Sequence, residues 1–215
     1  MILIDNIFIQ ILIPLLTAHF LVDFILQTDE DIKKKQNILI FGKHIVFVTV
    51  FSYLFVGDWG NYLIPAAILF SHTIIDLSKK TFKKDSLTIF FVDQAAHYLV
   101  ILVLSFYMQN NARMESNNLF WLSVFGKAYL KVLIIISAVI LTTKFSSIII
   151  SYIIKPFQAK IFKAQNNNRD EIKTGRIIGY LERIIILVLF LAEMPAVVGF
   201  LITAKSILRY AEIKN

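Results

Sequence analysis

The feature that most constrains this chain is a series of long apolar segments that nearly lack charged residues. Residues 7–26 contain only His19 and Asp23 as titratable groups, and residues 184–201 contain only Glu193. A membrane core of about 30 Å takes about 20 such residues as a helix. A soluble amphipathic helix would show a polar face every third or fourth residue, which these segments lack. With 57% hydrophobic residues and a mean hydropathy of +0.70, the chain is predicted to be an integral membrane protein.

Six apolar segments are predicted as membrane-spanning helices. They are Ile7–Gln27, His44–Val56, Tyr62–Leu77, Leu87–Met108, Leu130–Ile154 and Ile177–Tyr210. The predicted fold class is therefore all-α, a polytopic transmembrane helical bundle with about six spans. Residues 1–110 are predicted to form a four-helix membrane module, and residues 111–215 a C-terminal membrane module with two longer helices. No cleavable signal peptide is expected, because residues 1–6 contain no lysine or arginine.

Basic residues cluster in alternate loops and predict the orientation. Loops 28–43, 78–86 and 155–176 carry several lysines or arginines, whereas residues 57–61 carry none and residues 109–118 only Arg113. Because basic loops stay in the cytoplasm, these three loops are predicted to be cytoplasmic and both termini outside, in a bacterial inner membrane. The net charge of +7 is thus attributed to topology. We expect membrane lipids as partners and no nucleic acid, since no basic patch alternates with exposed aromatic residues.

Histidines and aspartates recur at one spacing within the first four segments. Three pairs are four residues apart, so that each pair shares one helix face; they are His19 with Asp23, His72 with Asp76, and Asp93 with His97. His44 opens the second segment. In the predicted topology all these groups lie in the cytoplasmic half of the membrane. Ionisable residues in spans are costly and usually functional, although a single polar residue often only hydrogen-bonds a neighbouring helix.

Imidazole and carboxylate together favour a divalent metal ion as cofactor, with zinc as the first candidate and manganese or iron as alternatives. The candidate metal ligands are His19, Asp23, His72, Asp76, Asp93 and His97. Any of the three aspartates that does not bind the metal is a candidate catalytic base. Proton or ion relay is an alternative use of the same groups.

Five further residues are candidates for supporting roles. His44 is predicted at the cytoplasmic mouth of the cluster, and Gln27 and Gln94 are candidates to hydrogen-bond the cluster or a substrate. Glu182 and Arg183 open the last segment at its cytoplasmic end. They either join the cluster or form a structural cap, and the structural role is favoured.

Three short motifs carry a resemblance to a known family. Residues 19–27 fit HxxxDFxxQ, residues 72–76 fit HxxxD, and residues 93–97 fit DQxxH. Together they resemble the signature of an uncharacterised bacterial integral membrane family that carries a domain of unknown function. Residues 175–183 resemble a second block found in longer members. The resemblance implies that the motif residues form one site, and it implies no particular activity.

Three functions are compatible with these residues. The first is a membrane-embedded, metal-dependent hydrolase that acts on a lipid or lipid-linked anionic substrate from the cytoplasmic side. The second is a transporter or channel for a metal ion or protons, which predicts polar residues continuing to the outer side. These are sparse, and the scarcity favours a one-sided pocket. The third is a non-catalytic membrane partner or sensor whose polar cluster is structural.

Overall fold

The computed structural model describes residues 6–28, 31, 37–82, 86–110, 119–161 and 169–214. These residues are almost entirely helical and contain no strand. The α-helices are α1 (Ile7–Leu21), α2 (Ile38–Val56), α3 (Leu63–Lys80), α4 (Leu87–Gln109), α5 (Phe120–Phe125), α6 (Lys127–Ile140), α7 (Ser146–Ile161), α8 (Arg169–Leu191) and α9 (Pro195–Lys214). Two π-helical turns, Val22–Leu26 and Leu141–Phe145, follow α1 and α6. The chain forms two compact units, Met1–Ile154 and Lys155–Asn215.

Short polar residues fix where the helices of the first unit begin. The side-chain oxygens of Asn6, Asn37 and Ser86 accept hydrogen bonds from backbone N–H groups in the first turns of α1, α2 and α4. Such caps satisfy donors that a helix start leaves unpaired. At the other end of α2, Gly57 adopts a left-handed conformation with φ 71°, which ends the helix as C-terminal glycines commonly do.

The first four helices form an up-and-down bundle. Helix α1 packs against α2 and α4, α3 packs against the same two neighbours, and α6 packs on α1. Apolar side chains fill the interior, among them Ile11, Leu15, Val48, Ile64 and Met108. Since successive helices run in opposite directions, the C-terminal ends of α1 and α3 meet the N-terminal ends of α2 and α4. This arrangement brings all the predicted His/Asp positions to one end of the bundle.

The bundle carries its apolar residues outside and part of its polar residues inside. Phe70, Val92 and Phe106 are more than 60% exposed, whereas Ser52 and Ser105 are buried. A soluble protein would show the opposite pattern. Four helical stretches are long and apolar enough to cross a membrane: Ile7–Leu26, Ile38–Val56, Leu87–Gln109 and Lys127–Lys155. These observations confirm the all-α fold class and the character of a membrane protein.

Two of the predicted spans differ from the rest. Helix α3 packs within the bundle but carries Asp76, Lys79 and Lys80 in its last two turns, so it is not among the four apolar stretches. The prediction of a single segment over residues 177–210 is wrong, because α8 and α9 are separate helices that pack against each other. The break lies at Glu193, whose φ is 58°, next to Pro195, which cannot continue the hydrogen bonding of α8. The number of spans stays a prediction.

Several residues used for the orientation lie outside the described residues. They are Lys33, Lys34, Lys35, Lys83, Lys84, Arg113 and Lys163. The orientation in the membrane therefore stays a prediction, as does the division into modules at residue 110.

Candidate metal centre

The structure brings together the residues of all three sequence pairs, and His44 joins them. Helices α1, α2, α3 and α4 each contribute, and the resulting cluster consists of His19, Asp23, His44, His72, Asp76, Asp93 and His97. All four imidazoles are at least 94% buried. The carboxylates of Asp76 and Asp93 are equally inaccessible, at 2% and 4% side-chain exposure. Such burial is costly for charged groups unless a compensating charge is close by.

One carboxylate oxygen lies among three imidazoles. Asp23 Oδ1 is 3.6 Å from His19 Nδ1, 3.7 Å from His44 Nε2 and 3.8 Å from His72 Nε2. These separations are too long for hydrogen bonds, and the oxygen is buried without a hydrogen-bond partner. The π-helical turn Val22–Leu26 carries this aspartate; π-helical turns are frequent at functional sites.

The hydrogen-bond partner of His19 determines which of its two ring nitrogens carries the proton. Its Nε2 lies 3.2 Å from Gln94 Oε1, and a carbonyl oxygen can only accept, so Nε2 carries the proton. The amide orientation is fixed because Tyr98 donates to the same Oε1 at 3.1 Å and Gln94 Nε2 donates to Asp93 at 3.3 Å. In neutral His19 the Nδ1 atom is then an acceptor that faces an acceptor. A cation between them removes this conflict.

The spacing fits a small divalent ion. Ligand bonds of about 2.0–2.2 Å in tetrahedral geometry place neighbouring ligand atoms about 3.3–3.5 Å apart. The separations around Asp23 Oδ1 are only a few tenths of an ångström longer. His44 Nε2 and His72 Nε2 share a hydrogen bond at 3.0 Å, which a bound ion would replace. Three sets of residues hold ligand atoms within 4.8 Å of one another: His19 with His72 and His97, Asp23 with His44 and His72, and Asp76 with Asp93 and His97. The described cluster can therefore hold a metal ion, as its donor types predicted.

The third set has its own electrostatic partner. Lys79 Nζ lies 2.7 Å from Asp93 Oδ2, while Asp93 Oδ1 and His97 Nε2 are buried without hydrogen-bond partners. Lys79 thus pairs with Asp93 Oδ2, and Asp93 Oδ1 faces His97 within the cluster. With neutral imidazoles the three carboxylates face one lysine ammonium, so the balancing positive charge comes either from protons on the imidazoles or from a bound cation.

Two small spaces adjoin the cluster. A cavity of about 10 Å³ lies beside His19, His72 and His97, and Ser52 and Ser71 also line it; this is close to the volume that one water molecule needs. A second space is a groove whose polar lining is Gln27, Asp31, Lys43 and His44, and whose apolar lining is Val22, Leu26, Ile40 and Phe47. The groove approaches the cluster from the end of the bundle where α2 begins.

The supporting candidates fall in different places. Gln94 is inside the cluster, as the two hydrogen bonds to its amide show, whereas Gln27 ends the π-helical turn and lines the groove. In the second unit, Glu182 pairs with Lys205 of α9, and Arg183 lies over the ring of Tyr180. Whether Glu182 and Arg183 form a structural cap or belong to a site stays a prediction.

Sequence reasoning missed two members of the site. Lys79 was counted as a loop charge, yet it lies seven residues after His72 and three after Asp76, which places all three on one helix face. Tyr98 lies four residues after Gln94, and its ring packs edge-on against His19 at 5.5 Å. In both cases the helical spacing was the available signal.

Comparison with known proteins agrees with the motif resemblance. A family model matches residues 11–125, which is slightly more than half of the 215 residues and includes every residue of the His/Asp cluster. No curated protein and no solved structure matches the chain. From the extent of this match, the chain belongs to the family described as "Protein of unknown function (DUF3307)".

Proposed function

We propose that this protein binds a divalent metal ion in the membrane-embedded His/Asp cluster and uses it to hydrolyse a lipid or lipid-linked substrate. The observation that carries the metal site is Asp23 Oδ1, which is buried without a hydrogen bond at 3.6–3.8 Å from three imidazole nitrogens. Zinc is the first candidate because nitrogen and oxygen donors at this spacing suit it, and manganese and iron are the alternatives. The four imidazoles favour a transition metal over sodium or potassium, because imidazole nitrogen is a typical ligand of transition metals.

The water-sized cavity supports hydrolysis. It lies against the imidazoles of His19, His72 and His97, so a water molecule there can be a ligand of the ion. A bound divalent ion lowers the pKa of such a water and makes it a nucleophile at neutral pH. The carboxylates of Asp23 and Asp93 are the proposed general bases, through an oxygen that does not bind the metal.

The groove supports an amphiphilic, anionic substrate. Lys43, whose ammonium lies 3.8 Å from the carboxylate of Asp31, is the cationic group in the groove for a head group. Leu26, Ile40 and Phe47 supply an apolar wall for a chain. With loops 28–43 and 78–86 in the cytoplasm, this end of the bundle would face the inner leaflet of a bacterial inner membrane. Lipids of that leaflet, or lipid-linked intermediates, are the proposed substrate class.

Metal analysis of the full chain in detergent tests the site. We expect bound zinc, manganese or iron in protein purified without chelator, measured by elemental mass spectrometry, and its loss in Asp23→Asn. Asp58→Asn is the matched control, because it makes the same chemical change at the turn after α2 and should keep the metal. Metal-free wild-type protein after incubation with each ion, or metal retained fully in Asp23→Asn, would overturn the proposed site.

Hydrolysis is tested separately on the metal-loaded protein. We expect release of a water-soluble head group from phospholipids or lipid phosphates in mixed micelles, abolished by chelation and by Asp23→Asn but not by Asp58→Asn. Metal binding without turnover on any of these substrates would restrict the proposal to a metal-binding membrane protein.

Transport is the second candidate, and one observation favours it. Three polar residues in the other half of the bundle, Gln10, Ser52 and Ser105, are buried and so face inward. Uptake of a divalent ion into proteoliposomes, absent in Asp23→Asn, would favour a transporter over a hydrolase.

A further inference from the structure

The carboxylate of Asp76 faces two different parts of the cluster. Its Oδ2 lies 3.5 Å from His44 Nε2, and its Oδ1 lies 3.7 Å from His97 Nε2. His44 belongs to the set around Asp23, whereas His97 belongs to the set with Asp93. Both distances exceed a hydrogen bond and resemble the separation of two ligands on one ion. Asp76 therefore lies between the two sets, with one oxygen toward each.

The set around Asp93, like the set around Asp23, contains buried polar atoms without hydrogen-bond partners. His97 Nε2 and Asp93 Oδ1 lie 3.9 Å apart, and both atoms are buried without a hydrogen-bond partner. Lys79 does not relieve this, because it contacts the other oxygen of Asp93. Two buried polar atoms without partners cost free energy that a shared cation would recover.

We propose that the cluster is a two-metal centre in which the Asp76 carboxylate bridges the ions. The inference rests on the proposed metal site and deepens it. One ion is held by Asp23, His44 and His72, with His19 as the third nitrogen donor and fourth ligand, and the other by Asp93 and His97. The rings of His72 and His97 stack with their centroids 4.0 Å apart, so the two donor sets adjoin each other. Two-metal sites hold their ions about 3.5–4 Å apart.

The charge of such a centre defines what it binds. Three carboxylates and one lysine carry −3 + 1 = −2, and two divalent ions change this to −2 + 4 = +2. A bridging hydroxide would leave one positive charge, which a buried site must compensate. The centre therefore favours an anionic ligand such as a phosphate ester, whose attacking and leaving oxygens a pair of ions can hold.

Manganese is the probe for the experiment, because its spin reports a neighbouring ion. The detergent-purified full chain is loaded with Mn²⁺, its stoichiometry is measured by elemental mass spectrometry, and its electron paramagnetic resonance spectrum is recorded. We expect two ions per chain and the spectrum of an exchange-coupled pair. Asp93→Asn should retain one ion with the six-line spectrum of isolated Mn²⁺, and Ser105→Ala, a buried change outside the cluster, should retain the coupled pair.

The wild-type measurement alone decides the proposal, even if a variant fails to fold. One ion per chain at saturation, with an isolated spectrum, would overturn the two-metal centre and leave the single metal site standing. Two ions without exchange coupling would overturn the Asp76 bridge. No bound ion would overturn the metal site and the two-metal centre together.

Discussion

At the scale of single residues, the site is defined by acceptors that face one another. Gln94 forces the proton of His19 onto Nε2, so His19 Nδ1 and Asp23 Oδ1 meet at 3.6 Å without a hydrogen. Asp93 Oδ1 likewise has no hydrogen-bond donor, since Lys79 and Gln94 both donate to Asp93 Oδ2. In water these groups would simply be hydrated. Inside a bundle such a pair is stabilised by a proton or a metal ion between the two atoms, and this distinguishes the cluster from an ordinary polar contact between helices.

The first residue-scale prediction concerns Gln94. Gln94→Leu removes the acceptor that orients His19, and partners of metal-ligating histidines typically contribute a factor of about 10–100 to metal affinity. We expect the metal affinity to fall by about that factor, measured by competition with a chromogenic chelator. Gln109→Leu, the same change at the far end of α4, is the control. Equal affinities in the two variants would show that Gln94 does not position His19.

The second residue-scale prediction concerns Lys79. Lys79→Met leaves buried Asp93 without its lysine partner, and we expect the metal-free protein to lose about 1 kcal/mol, because the lysine is about one third exposed (32%). For a chain of this size that lowers Tm by about 2–4 °C. Added metal should reduce the difference from wild type, since the ion then balances Asp93.

The control for this prediction is Lys80→Met, because Lys80 lies over the ring of Phe41 rather than on a cluster carboxylate. Its Tm difference from wild type should be the same with and without metal. A metal-independent Tm deficit in Lys79→Met would exclude a shared electrostatic role for Lys79 and the ion.

At the scale of elements, the spacing of residues predicted the faces but not the irregular turns. Pairs four residues apart share a helix face, so the sequence sufficed to predict which side of α1, α3 and α4 carries the cluster. The π-helical turn at Asp23 has no such signature, because it depends on how α1 packs on its neighbours. At Glu193 the sequence signal is Pro195, which disturbs helical hydrogen bonding but does not by itself separate two helices. The left-handed backbone that makes it a full break needs contacts that a sequence does not display.

The junction of α2 and α5 carries the element-scale prediction. A Cβ at Gly57 would lie 2.8 Å from Trp121 Cδ1, and the backbone there has φ +71°. Trp121 also donates to Leu54 O at 2.5 Å, so the ring is held in place. Left-handed backbone costs an L-residue roughly 1–2 kcal/mol, and we expect Gly57→Ala to destabilise the protein by at least that amount in thermal unfolding followed by circular dichroism.

Gly42→Ala is the matched control for Gly57→Ala. Gly42 lies in the same helix, and a Cβ there meets nothing within 4 Å. Alanine inside a helix gains about 0.5–1 kcal/mol over glycine, so this variant should be as stable as wild type or more so. If both variants unfold alike, α5 does not dock on Gly57 as described.

At the scale of the whole molecule, the exposed apolar residues and the buried polar residues indicate that a lipid bilayer surrounds the bundle. Hydropathy along the chain was enough to predict a helical membrane protein, and the alternation of the helices was enough to predict that the histidines meet. The division of the cluster into ligand sets was not predictable, because it depends on side-chain directions. The two carboxylate oxygens of Asp76, for example, point toward different histidines. The boundary between the two compact units after Ile154 was not predictable either, since it depends on which helices pack together.

Orientation is the prediction that belongs to the whole molecule, and the absence of cysteine makes it directly testable. Each introduced thiol is the only one in the chain, so labelling by a membrane-impermeant maleimide reports one position. Gly60→Cys lies in the turn after α2, and Thr81→Cys follows α3 at the cluster end; both positions are exposed. Because basic loops remain in the cytoplasm, we expect Gly60→Cys to be labelled in intact spheroplasts and Thr81→Cys only after lysis. The reverse pattern would place the His/Asp cluster at the outer face, and any substrate would then have to come from the outer leaflet.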